Sequence, residues 1–164
     1  MPLDSHLTRP SSLVDRAAIA KAHPRVQSSA RWFWWIAGLS AINSLVAHFG
    51  EGGVSFVIGL AVMQIADAVF REMALVALAF DALVLGFFVF IGAMALRGKL
   101  WAFIVGGAVY LADAAVFAFF GDWLPVGFHG YALYCIFIGA HALREALASA
   151  KRAASGEVDA LPGV

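Results

Sequence analysis

The chain has 164 residues, 62% of them hydrophobic and 13% charged, and its 11 basic and 11 acidic residues leave no net charge. A soluble domain is nearer half apolar and a quarter charged, so the composition excludes one, and it excludes a disordered chain too. Cys135 is the single cysteine, so no internal disulfide framework exists, and no basic excess is available to hold a nucleic acid.

A mean hydropathy of +0.85 points to a multi-pass membrane protein. Residues 1–30 differ from the rest: they carry Asp4, Arg9, Asp15, Arg16, Lys21 and Arg25, with Pro2, Pro10 and Pro24. Ser12, three residues before Asp15 and ahead of Ala17-Ala18-Ile19-Ala20, predicts a capped short helix that stops near His23-Pro24. Leu13, Val14, Ala17 and Ile19 give it a weak apolar face, suited to a membrane surface. A cleaved signal is not expected, because the polar lead is long and no small-residue cleavage site follows the first apolar run.

A spanning helix needs about 20 mostly apolar residues. Four runs approach this length, at 32–49, 73–96, 100–120 and 126–147, and a borderline fifth at 53–70 holds Gln64 and Asp67. If 53–70 crosses, six basic residues fall on one side and five on the other. If it does not, ten of the eleven share a side and only Arg71 is opposite. The positive-inside rule favours the second arrangement. The expected fold is therefore an all-α bundle of four transmembrane helices plus a re-entrant or interfacial helix at 53–70, with five spans as the alternative. Residues 1–30 form a cytoplasmic tail with the short helix, 31–148 the bundle and 149–164 a second cytoplasmic tail. The expected location is a bacterial inner membrane. One feature argues for five spans: 56–62 resembles 103–109 and 90–97 resembles 137–144, both at a shift of 47, as in a duplicated hairpin of 53–98 and 100–145. Trp32, Trp34, Trp35, Trp101 and Trp123 are expected at the headgroup level.

Polar groups inside apolar runs are the candidate sites, since each is costly in lipid. Ser40, Asn43 and Ser44 form a stripe on one face of the first span, a pattern suited to packing between helices, and His48 lies near its end. Gln64, Asp67 and Arg71 share a face of the borderline segment. Asp81 lies about 12 Å into its run and Asp113 about 10 Å from the end of its own. Asp113 continues a stripe of Gly106, Tyr110 and Phe117, in which Tyr110 is placed to hydrogen-bond a carboxylate. The two acids either carry a proton or cation, or satisfy a neighbouring hydroxyl or backbone group. His129 sits at the same side as His48, whereas His141 does not.

No Gly-rich phosphate loop, His-Glu-x-x-His, Cys-x-x-Cys or Gly-x-Ser-x-Gly occurs, so no catalytic role is expected. The leading expectation is a non-catalytic accessory or assembly subunit, with the lipid bilayer and other membrane proteins or its own copies as partners. The alternative is a small-solute or proton-coupled transporter using Asp81, Asp113 and Asp67, with Tyr110 nearby. A third reading places a haem or metal at His48 and His129.

Overall fold

In the computed structural model, residues 15–49 and 59–159 are described, apart from the side chains of 47–49 and 156–159. The described residues form six helices and no strand: α1 (Arg16–Ala22), α2 (Pro24–Phe49), α3 (Ala61–Val69), α4 (Ala74–Leu96), α5 (Leu100–Phe119) and α6 (Trp123–Asp159). Three of them, α4, α5 and the 123–155 portion of α6, are long and apolar enough to cross a membrane.

Helix α1 begins at Asp15, whose carboxylate accepts from the backbone N–H of Ala17 at 3.0 Å and of Ala18 at 3.2 Å. The cap is thus Asp15 itself, and Ser12 lies outside the described residues. Pro24 ends α1 and opens α2, because a proline is tolerated at a first helical position, where its missing N–H costs nothing. The first long helix therefore starts eight residues before the apolar run at 32.

Both tight turns use one device. Helix α4 ends in Arg97-Gly98-Lys99, with Gly98 at φ 71°, and α5 ends in Phe120-Gly121-Asp122, with Gly121 at φ 76°. At the first turn Lys99 N–H donates to Met94 O at 3.1 Å and Gly98 N–H to Ala95 O at 3.0 Å. At the second, Asp122 N–H donates to Phe117 O at 3.0 Å and Gly121 N–H to Ala118 O at 3.1 Å. Glycine supplies the left-handed backbone, and the two bonds satisfy carbonyls that a helix end leaves open.

The four long helices close a ring in which α2 packs on α4 and α6, and α5 on the same two. Lipid tails are as apolar as leucine, so close fit between helices must hold such a ring together. Glycines provide it. A Cβ on Gly106 would stand 2.5 Å from Phe33 and 2.6 Å from Ile91, and one on Gly139 would collide with Ser29. Gly92 admits Trp34, whose indole N–H donates to Val89 O on α4 at 3.2 Å. Trp34 is thus a bridge between α2 and α4, and it is exposed, as are Trp35, Trp101 and Trp123. Phe33, Phe88, Ile91, Phe103, Tyr110, Ile136 and Leu143 fill the centre.

The two ends differ. At one, α1 packs on α2, α4 and α6, and its Arg16 carbonyl lies against Gly98 in the α4–α5 turn. Basic residues gather here. At the other, α3 packs on α4 and α5 and touches α2. Helix α3 has nine residues, about 14 Å, less than half a bilayer core. Residues 53–58 lie outside the described set. The suggested duplication of 53–98 and 100–145 begins on residues that lie outside the described set. At the C-terminal side, α6 continues through the first part of the expected tail, to Asp159. The alanines and charged residues of 148–159 are good helix formers, and a helix already nucleated in the bundle propagates through them.

Candidate functional site

Helix α3 starts without a cap of its own. Its N-cap position is Leu60, which has no side-chain acceptor for the free N–H groups of the first turn. The acceptor comes from α5. Asp113 Oδ2 accepts from Ala61 N–H at 2.9 Å, and its Oδ1 accepts from Val62 N–H at 3.0 Å. A carboxylate there also meets the positive end of the α3 dipole.

Asp113 has a third partner. His129 Nε2 lies 3.0 Å from Asp113 Oδ2, and His129 Nδ1 lies 2.8 Å from Pro125 O. A carbonyl oxygen only accepts, so Nδ1 must carry a proton. A second proton must then lie between Nε2 and Oδ2, since otherwise a nitrogen lone pair would face a carboxylate. Whether it sits on nitrogen or oxygen, the pair is neutral overall. This neutrality lets it be buried, with Asp113 at 6% and His129 at 1% exposure. Tyr110 stacks on the imidazole at 4.2 Å between centroids, and Phe117 tilts against it at 5.3 Å. Tyr110 thus contributes its ring, in place of the hydroxyl-to-carboxylate bond expected from the stripe.

Asp113 also lines a groove of about 520 Å³ between α3, α4 and α5, whose other walls include Leu60, Leu83, Phe87, Phe88 and Val109.

The second buried acid, Asp81, is on α4 and is 3% exposed. The Ser44 hydroxyl of α2 donates to its Oδ2. Its Oδ1 is buried and has no hydrogen-bond partner. Ser40, Asn43 and Ser44 are all buried, as their shared face predicts. Each acid therefore has its own partner, and no hydrogen bond joins the two. Asp67 is half-buried on α3. The His48 side chain lies outside the described residues.

Among the described residues, no group of three His, Cys, Asp or Glu side chains is placed to hold a metal. The chemistry of His129 also opposes a haem or metal there, because both ring nitrogens are engaged and a ligand bond would have to displace Asp113 or Pro125.

The sequence reading set both Asp113 and His129 on the α3 side but did not join them, pairing His129 with His48 instead. The signal was present: each lies eight residues from Gly121, so an antiparallel hairpin folded there brings them level. Compared with protein-family models, curated proteins and solved structures, the chain matches none.

Proposed function

We propose that the chain is a small non-catalytic membrane protein, an accessory or assembly subunit that binds other membrane proteins or its own copies. The observation that carries this reading is how fully the Asp113–His129 pair is committed. Both carboxylate oxygens and both ring nitrogens are engaged by scaffold atoms, leaving the pair to act as a fastener for α3. Long apolar side chains also point outward, among them Leu75 and Leu83 on α4 and Phe119 on α5, where lipid or partner helices would cover them.

The same proposal includes four spans, with α2 as the fourth, α3 as an interfacial or re-entrant helix, and both termini in the cytoplasm of a bacterial inner membrane. Charge supports it. Arg16, Lys21, Arg25, Arg31, Arg97, Lys99, Arg144, Lys151 and Arg152 lie toward the α1 end, and Arg71 lies at the α3 end.

The test is native mass spectrometry of the full chain, released in mild detergent from its own membrane. A second protein's mass, or multiples of the chain's own, is the expected result. A bare monomer at every detergent concentration counts against it. A proton-coupled transporter is the second reading, favoured by the unpartnered Oδ1 of Asp81. It requires proteoliposome flux that Asp81→Asn abolishes.

A further inference from the structure

A second cleft, of about 680 Å³, runs between the first turns of α2 and the middle of α6. Its residues are ordered by polarity. Toward the α1 end are Arg25 and Ser29 of α2 with Glu145 of α6, and further along the two helices, toward the middle of the bundle, lie Trp32, Tyr134 and Ile138. Arg25 and Trp32 are seven residues apart, about 10 Å along the helix. Along the helix axes this is the polarity gradient of a phospholipid, head toward the α1 end and acyl chain toward the middle of the bundle.

The charges narrow the choice. Arg25 and Glu145 line one cleft, yet among the described residues no ion pair joins them. Glu145 lies 3.5 Å from the His141 ring, where both side chains are more than half exposed. The Ser29 residue is 5% exposed, lines the cleft and makes no hydrogen bond among the described residues. One cation and one anion held apart, with a hydroxyl donor beside the cation, match a zwitterionic headgroup.

We propose that this cleft binds phosphatidylethanolamine. The phosphate accepts from the Arg25 guanidinium and the Ser29 hydroxyl. The ammonium donates to the Glu145 carboxylate, and one acyl chain lies along Trp32, Tyr134 and Ile138. The cleft lies at the opposite end of the bundle from Asp113 and does not depend on the accessory reading.

The test is a native mass spectrometry titration of the detergent-solubilised full chain with dioleoyl phosphatidylethanolamine, phosphatidylcholine and phosphatidylglycerol. Phosphatidylcholine keeps the charges but has no ammonium N–H. Phosphatidylethanolamine is expected to bind about tenfold tighter than either, the worth of one charge-assisted hydrogen bond. Glu145→Gln should erase its advantage over phosphatidylcholine, and Arg25→Ala should weaken all three lipids. Both side chains are exposed, so neither variant removes core packing. Equal retention of the three lipids by the unaltered chain, preference for phosphatidylglycerol, or an ethanolamine preference that survives Glu145→Gln would each overturn the proposal.

Discussion

Asp113 and Asp81 are both carboxylates buried among apolar helices, yet their surroundings differ. Asp113 meets two backbone N–H groups and an imidazole, so every polar atom brought into the bundle there has a counterpart. Asp81 meets one hydroxyl on one oxygen and nothing on the other. A buried polar atom without a partner costs about 1–3 kcal/mol, so the first site adds to stability and the second subtracts from it. Depth in the sequence does not distinguish them. What distinguishes them is a third element, the start of α3, which reaches one acid and not the other.

The largest expected effect comes from removing the fastener. Asp113→Leu strands Ala61 N–H, Val62 N–H and His129 together, at a cost of about 3–5 kcal/mol. Hydrogen exchange should show α3 amides losing protection ahead of the long helices; uniform protection would refute the role assigned to Asp113. His129→Phe is milder. It keeps a ring against Tyr110 but leaves Asp113 with only the two backbone donors, a loss of about 1–3 kcal/mol. Denaturant unfolding in detergent measures it, and an unchanged midpoint would mean that the imidazole is dispensable. Asp81→Asn should be smallest, within about 1 kcal/mol, since an amide oxygen still accepts from Ser44. A drop as large as that of Asp113→Leu would show that Asp81 is held as firmly as Asp113 and would remove the contrast.

Much of this was legible from residues alone. Helices α4 and α5 begin and end within a residue of their apolar runs, because Gly98 and Gly121 punctuate them. The burial of Ser40, Asn43 and Ser44 followed from their spacing. Other features were hidden for stated reasons. Apolar counting could not find the start of α2 or the end of α6, because helix outside a bilayer needs no apolar residues. Nor could it show that α3 borrows its cap, since the donors are backbone N–H groups and carry no residue signature. The bridging role of Trp34 needed Gly92 on another helix to make room.

Helix α6 has 37 residues, about 55 Å, against a hydrocarbon core of about 30 Å. A span within α6 would leave close to half of its length clear of the lipid, as a spoke. Each residue of an α-helix is turned a fixed 100° from the last, so the phase of the spoke is set where it is gripped. His129 and Gly139 are those grips, held by Asp113 and by Ser29. The compass direction in which Lys151 and Arg152 face the water is thus decided deep within the bundle.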